Sequence, residues 1–314
     1  MDSMTDHTAH IKNKNTLIVV CGPTAVGKTA VAIDIAKYYD TEILSADSRQ
    51  FYEEMNIGTA KPSEHELAAV PHHFINNLSI SDTYTAGDYE REALEVLGKI
   101  FGSKDIAVMV GGSGLFIRAV CEGFDEFKKE ISDADEAIIS GIKEMSLKDM
   151  QDEVSKLDPE YYAKVDHHNP RRLQRALEVI HTTGKKYSEQ RTGEKAHRDF
   201  HIIKIGLEVS REQLYQRISQ RVDAMMKAGQ WEEATALYSF KHLQPLQTVG
   251  YQEVFDHIDG KLSKTVAIER IKQHSRNYAK RQLVWFKKDQ GIKWFDPDDR
   301  QTILNYLSEG NYLL

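Results

Sequence analysis

The chain of 314 residues has only two cysteines, Cys21 and Cys121, and no C-x-x-C pair. That scarcity excludes a disulfide framework and a cysteine-based zinc module, and it fits a reducing compartment. No apolar run approaches the length of a membrane span, and the opening MDSMTDHTAHIKNKN has no apolar stretch of a secretory signal. A cytoplasmic protein without a membrane partner is therefore expected, with residues 1–15 as a disordered tail. The adjacent histidines of VPHHF at 70–74 and DHH at 166–168 have no carboxylate or thiol at a ligand spacing, so no zinc is expected there. Internal repeats and low-complexity tracts are absent too. Excess positive charge is also lacking: 41 lysines and arginines face 48 acids, a formal net charge of −7. Spread evenly, that balance would speak against a nucleic-acid partner.

It is not spread evenly. Between Gly123 and Glu160 stand 12 acids and 5 bases, whereas between Lys261 and Trp294 there are 10 bases and 2 acids, Glu269 and Asp289. The second segment is a candidate face for a polyanion. Short β-rich runs, NTLIVVCGP, TEILSADS and DIAVMVGGSG, end in polar or glycine residues and alternate with helical patterns at Thr29–Tyr39 and Ala86–Phe101. This rhythm predicts βα units around a parallel sheet, with ligands beyond the strand C-termini. From Gly123 to about Arg198 charged helical sequence takes over, closing in the turn-rich HTTGKKYSEQRTGEKAHRD. FHIIKIGLEV then reads as a further strand, and the chain is helical to about Phe286. The expected fold is α/β: a P-loop NTPase-like parallel sheet core flanked by helices, over 16–122 and 199–314, with a helical insertion over 123–198.

Residues 19–33, VVCGPTAVGKTAVAI, carry Gly22, Gly27, Lys28 and Thr29 at the spacing G-x-x-x-x-G-K-[ST]. Glycines let the backbone wrap an oxyanion with its N–H groups inward. Lys28 supplies a cation and Thr29 a hydroxyl for Mg²⁺, at a helix N-terminus whose dipole also favours negative charge. The ordinary occupant of such a loop is ATP in a kinase or NTPase, which carries a metal-holding carboxylate on a later strand. Here VMVGGSG ends in glycines, while ILSADS ends in Asp47, expected beside the loop if the two strands are neighbours. Asp47 is thus available for other chemistry. A metabolite kinase and a non-catalytic RNA-binding NTPase switch remain the alternatives to group transfer.

GPTAVGKT, ILSADSRQFYEEMNIGTAKP, VMVGGSGLFI, NPRRLQRALEVIHTTG, LYQRISQRVDAMMKAGQWEEA, QTVGYQE and NYAKRQLVWF occur in the order and approximate spacing of the tRNA dimethylallyltransferases. From about Thr16 to Phe286 the chain resembles that family. The resemblance implies transfer of a dimethylallyl group from dimethylallyl diphosphate to N6 of the adenosine 3′ to the anticodon. It also implies Mg²⁺, the tRNA anticodon stem-loop as partner, and a loop (Gly22, Pro23, Thr24, Ala25, Val26, Gly27, Lys28, Thr29) that holds the donor's diphosphate. A substrate as large as tRNA makes a monomer the expectation.

Leaving-group charge then falls to the loop, Lys28 and an arginine; Arg217 and Arg221, at i,i+4 in LYQRISQR, suit the task, with Arg221 favoured. Asp47 is expected to hydrogen-bond the target N6–H₂ and accept its proton. Its plain structural alternative is a cap on the next helix. Ser113, where the family usually has threonine, keeps the hydroxyl and loses the methyl. The resemblance assigns Asp47, Ser48, Arg49, Gln50 and Ser113 to tRNA contact, along with the segment Arg171, Arg172, Leu173, Gln174 and Arg175 and the segment Gln247, Gly250, Tyr251 and Gln252. Family members often carry an arginine early in the insertion that reaches tRNA; this chain reads DADE at 133–136 instead. In the last long helix Ile268, Ile271, Ser275, Tyr278, Gln282 and Trp285 make an inner stripe. Lys272, Arg276 and Lys280 recur every four residues, with Arg281 beside them, as an outward row for RNA phosphates.

Overall fold

The computed structural model describes residues 15–125, 127, 132–191 and 193–309; most of the expected tail lies outside the described residues. The chain forms two compact units, one of residues up to Cys121 and from Arg198 onward, the other Glu122–His197.

In the first unit β1 (Thr16–Cys21) leads into α1 (Lys28–Tyr38) and β2 (Ile43–Ser45). A 3-10 turn at Ile57–Thr59, α2 (Glu64–Ala69), β3 (His72–His73), α3 (Ala86–Phe101), β4 (Ile106–Gly111) and α4 (Gly114–Glu122) follow. The second unit supplies α5 (Asp133–Lys143), α6 (Leu147–Leu157), α7 (Pro159–Tyr162), α8 (Pro170–Thr183) and α9 (Tyr187–Gln190). The first unit resumes with β5 (His201–Leu207), α10 (Arg211–Ala228), α11 (Gln230–Ala236), α12 (Gln252–Ile258), α13 (Lys264–Phe286), β6 (Ile292–Phe295) and α14 (Arg300–Ser308). Among the described residues no helix is long and apolar enough to cross a membrane.

All strand pairs are parallel, in the order β3-β2-β4-β1-β5-β6. Every residue of β1 and β4 is buried, as expected of strands covered on both faces. Alternation sorts their side chains: Leu17, Val19 and Cys21 join one apolar core with Tyr89, Leu97 and Ile271, while Ile18 and Val20 join the other with Ile35, Leu214 and Ile303. Each such aliphatic side chain contributes about 1.5–3 kcal/mol by leaving water. The small strands β3 and β6 extend the sheet at its two edges. Their sequences, HH and IKWF, are too short for periodicity to signal them.

The topology corrects one expectation. β2 does not adjoin β1; β4 lies between them, paired Val20↔Val110 on one side and Ser45↔Val110 on the other. Asp47, just past β2, therefore stands across the end of β4 from the phosphate loop. Backbone supports that placement: Ala46 N donates to Val110 O at 2.7 Å and Ser113 N to Ala46 O at 3.3 Å.

In the second unit Ser132, Ser146, Asp158 and Asn169 each cap a helix with a side-chain oxygen. The DADE stretch is the first turn of α5, where Asp135 closes a capping box with Ser132. Asp158 is fully buried and also accepts from Ser188 N at 2.7 Å and Ser188 Oγ at 2.8 Å, so one carboxylate joins α7 to α9. The core of this unit is Ile142, Met150, Val154, Tyr161, Leu173, Ala176 and Leu177.

A Cβ placed on Gly111 would sit 2.2 Å from Ala46 O, a backbone atom that cannot swing away. Gly111→Ala is expected to push β2 off β4 and to cost about 2–3 kcal/mol of stability, read as a lower denaturant midpoint with an unchanged slope.

Candidate active site

The loop after β1 is built from residues that can turn backwards. Gly22, Ala25 and Gly27 have positive φ (144°, 64° and 107°), and Gly27 starts α1. A side chain at Gly22 would meet Leu207 O at 2.7 Å, so β5 closes against the loop. Lys28 Nζ donates to Pro23 O at 2.8 Å. Enclosure of its ammonium end pushes its pKa down to about 8 against the pull of the Asp47 charge, and Arg221 pushes the same way as burial.

Arg221, on α10, donates to Thr24 Oγ1 and to Ala60 O, both at 3.4 Å. Burial lowers its pKa and Asp47 is the first charge to oppose that. One carboxylate thus opposes the effect of burial on both cations. Arg217 is different: it donates to Val26 O at 3.1 Å and pairs with Asp298 at 2.9 Å. It braces the back of the loop, a correction to its expected place among the diphosphate ligands.

Asp47 caps no helix. Its Oδ1 accepts from Arg49 N at 3.1 Å, a local turn that orients the carboxylate at the end of β2. Ser113 Oγ accepts from Ser48 N at 3.0 Å and donates to Ser48 Oγ at 3.2 Å. Gln50 turns inward, bonding Ser45 Oγ at 3.2 Å and donating to Ala60 O at 3.2 Å. Arg49 reaches Gln244 Oε1 at 3.4 Å on the exposed side.

Sequence reading missed the two residues of α13 that close the site. Gln282 stands, on sequence, in a mixed inner stripe with no role of its own, yet its Oε1 accepts from Thr24 N at 2.8 Å and its Nε2 donates to Gly112 O at 2.9 Å. This single amide ties the phosphate loop to the end of β4. A polar residue amid a buried stripe was the available signal. Tyr278 hydrogen-bonds Ser113, and enclosure of its hydroxyl and the Asp47 charge push its pKa up to about 12. Its ring is partly exposed, as is that of Trp285, whose Nε1 a side chain on Gly114 would meet at 2.2 Å. The buried stripe of α13 is instead Ala267, Ile271, Ala279, Gln282 and Phe286.

Other expected contacts also fall elsewhere. Tyr251 is wholly buried with its hydroxyl on Glu233 at 2.6 Å, so it cannot offer a stacking face. Gly250 is buried beside it: its N–H donates to Glu253 at 2.8 Å and its carbonyl accepts from Gln230 at 3.2 Å. Gln247 and Gln252 are exposed. Leu173 belongs to the core of the second unit, because α8 turns that face inward. Gln174 donates to Glu178 at 3.0 Å, and Arg175 pairs with Glu178 at 3.3 Å and lies over Phe127. Arg171 and Arg172 are exposed. In the basic row of α13, Lys272 has a side chain only 15% exposed and is paired with Asp223 at 2.8 Å and Glu269 at 3.2 Å. It is therefore not an outward cation. Arg276 lies over Tyr215, Arg281 over Tyr278, and Lys280 is exposed.

A parallel α/β sheet whose first strand runs through a glycine loop into Lys28 and Thr29 defines a phosphate-binding P-loop protein. The chain matches the IPP transferase family over residues 50–289. It is 47% identical over 294 residues to the tRNA dimethylallyltransferase of Christiangramia forsetii, covering 93% of this chain and 97% of the relative. It is 44% identical over 292 residues to tRNA dimethylallyltransferase 1 of Bacteroides fragilis, with the same coverage of 93% and 97%. Among solved structures, the tRNA isopentenylpyrophosphate transferase of Bacillus halodurans superposes with a TM-score of 0.70 at 34% identity, over 95% of this chain and 97% of that one. A eukaryotic dimethylallyltransferase acting on tRNA gives 0.82 at 25% identity, over 95% and 79%. The chain belongs to the IPP transferase family, enzymes that transfer a dimethylallyl group to an adenosine of tRNA.

Gln282→Leu would leave the Thr24 amide and the Gly112 carbonyl unpaired, at about 1–3 kcal/mol for each buried group. A lower melting temperature and weaker binding of inorganic diphosphate in calorimetry are expected together; unchanged diphosphate affinity would mean that the loop keeps its shape without the clamp.

Proposed function

We propose that this chain transfers a dimethylallyl group from dimethylallyl diphosphate to N6 of the adenosine 3′ to the anticodon in tRNA, with the diphosphate in the loop of Gly22–Thr29. The observation that carries the reading is Asp47 facing Lys28 and Arg221 at the mouth of a phosphate loop. One end of that arrangement suits an anion and the other a proton-bearing amine. A kinase has no use for a carboxylate there unless it holds the metal, and Asp47 stands past β2, one strand removed from β1.

In the reaction the allylic C–O bond of the donor breaks and a C–N bond to the adenine amine forms. The amine is a weak nucleophile because its lone pair is delocalised into the ring, so the proton it sheds needs an acceptor in place. Asp47 takes that proton, and a carboxylate also selects an amine over a carbonyl. Lys28, Arg221 and the loop N–H groups compensate the charge growing on the departing diphosphate, where enclosure strengthens each interaction. Ser113, held by Ser48 and Tyr278, offers the second polar contact beside the reacting nitrogen.

Thr29, at the start of α1, is the residue that would hold Mg²⁺. Among the described residues no group of three or more histidines, cysteines or carboxylates could cage a metal. That donor set fits an ion that keeps its waters and takes its other oxygens from diphosphate. When bound, the ion would share the leaving group's negative charge. Exposed Arg171, Arg172 and Lys280 are the basic residues best placed for RNA phosphates. The large substrate favours a monomer, and the absence of disulfide-type cysteine usage favours the cytoplasm.

The direct test is transfer of label from dimethylallyl diphosphate to bulk tRNA; ATP turnover without labelled RNA would replace this reading. Asp47→Ala is expected to slow transfer by about 10²–10⁴-fold while tRNA affinity changes only a few-fold. A variant near the wild-type rate would make Asp47 a turn residue only. The low Lys28 pKa also sets a pH profile. Below about 8 Lys28 is charged and attracts the donor; above it the free enzyme loses that charge, so kcat/KM for the donor falls. Bound diphosphate restores the charge by linkage, so kcat should hold at the same pH. Parallel loss of both parameters would assign the limb to another group.

A further inference from the structure

Outside the loop and Asp47, one half-buried carboxylate carries an unusual set of partners. Glu233, on α11, accepts from four donors: Asn56 N at 3.1 Å and Ile57 N at 2.7 Å on Oε2, and Gly58 N at 2.9 Å and Tyr251 OH at 2.6 Å on Oε1. It closes the open start of the 3-10 turn Ile57–Thr59 as a bound anion would. The Tyr251 ring packs so tightly against that turn that a side chain on Gly58 would meet it at 2.6 Å.

What the turn presents at its other end is functional. Ala60 ends it in the left-handed region, with φ 48° and ψ 52°, a conformation that Cβ disfavours and that its surroundings must hold. The Ala60 carbonyl accepts from Arg221 at 3.4 Å and from Gln50 at 3.2 Å. Arg221 also reaches Thr24 of the phosphate loop. A continuous path therefore runs from Glu233 through three backbone amides and one strained residue to the cation beside the loop. Lys61, just past the turn, is anchored to the Tyr52 carbonyl and to Asn56 and Asn76, which fixes the exit of the same segment.

We propose that Glu233 is a positioning residue for donor binding: by fixing the turn 57–60 it sets the Ala60 carbonyl that aims Arg221 at the diphosphate. The inference rests on the reading of the loop and Arg221 as the diphosphate site. Neutralising Glu233 leaves the turn able to form but deprives it of a full acceptor set. In Glu233→Gln the amide NH₂ must face at least one backbone N–H, because Gln brings one acceptor oxygen where the carboxylate brings two.

The experiment is a double-mutant cycle read by calorimetry with inorganic diphosphate and magnesium chloride, on wild type, Glu233→Gln, Arg221→Ala and the pair. Glu233→Gln is expected to weaken diphosphate binding about tenfold, and to weaken it less than twofold further once Arg221 is gone. In the transfer assay the KM for dimethylallyl diphosphate should rise with it, while the KM for tRNA stays within twofold. Wild-type affinity in a folded Glu233→Gln, or losses that simply multiply in the pair, would overturn the proposal, since a purely structural carboxylate has no reason to act through Arg221. Should Glu233→Gln fail to fold, Tyr251→Phe removes one of the same four hydrogen bonds and takes its place in the cycle, with about a threefold loss expected and the same non-additivity required. If wild type binds diphosphate but transfers no label, the function proposed above fails while the cycle still decides the role of Glu233. No diphosphate binding by wild type overturns both.

Discussion

A loop that offers its backbone N–H groups to an anion cannot use those groups to hold its own shape. Everything around the Gly22–Thr29 segment follows from that constraint. It is held mainly through other atoms, from outside: Val26 O by Arg217, Thr24 Oγ1 by Arg221 and the Gly22 corner by the backbone of β5, with a single N–H, that of Thr24, given up to Gln282. From within, Lys28 holds the loop by donating to Pro23 O. Each outside support stands on α10, α13 or β5, elements whose own burial fixes them. The Asp47 end of the site uses the same logic, with the end of β4 as the shared wall: Gly111 lets Ala46 approach, and Gly112, just past the strand, lets Gln282 do so.

Electrostatics at this site is a matter of a few enclosed groups. Lys28 and Arg221 both lose affinity for protons through burial, and Asp47 is the first charge to counter it for each. Removing Asp47 therefore also loosens the protons of two cations. The surface bases obey a different rule. Lys272 sits in the most basic stretch of the chain and yet spends its charge on Asp223 and Glu269. A formal count over a sequence window misses such pairing, because Asp223 lies on a different helix.

The sequence made legible whatever is decided locally. The β1 loop, the helix α3, and the Asn169-Pro170 start of α8 are written in residues that touch their neighbours in the chain. The place of Asp47 at a strand end could be anticipated from ILSADS; its local turn with Arg49 N, in place of a helix cap, and its position one strand further from β1 could not, because strand order depends on which crossover packs. Tyr251 and Leu173 were misread for one reason. A motif tells which residues occur together, while burial depends on helix phase and on distant partners such as Glu233. Gln282 reaches the phosphate loop across 258 positions and Glu233 reaches the turn at 56–58 across 175 or more, a range over which no spacing rule operates.

That range has a consequence for how the protein comes into being. During synthesis from the N-terminus the phosphate loop emerges early, but β1 lacks one of its two sheet partners until β5 leaves the ribosome. The loop lacks its clamp until α13 follows. Between them comes the whole of the Glu122–His197 unit, which has its own core and capping residues and can be ordered on its own account. A nascent or truncated chain ending before α13 would thus carry the most recognisable motif of the sequence without the Gln282 clamp that ties it to the end of β4. The last long helix completes the loop's support from a place far along the chain, so the motif takes its full set of holds only when nearly all of the chain has been made.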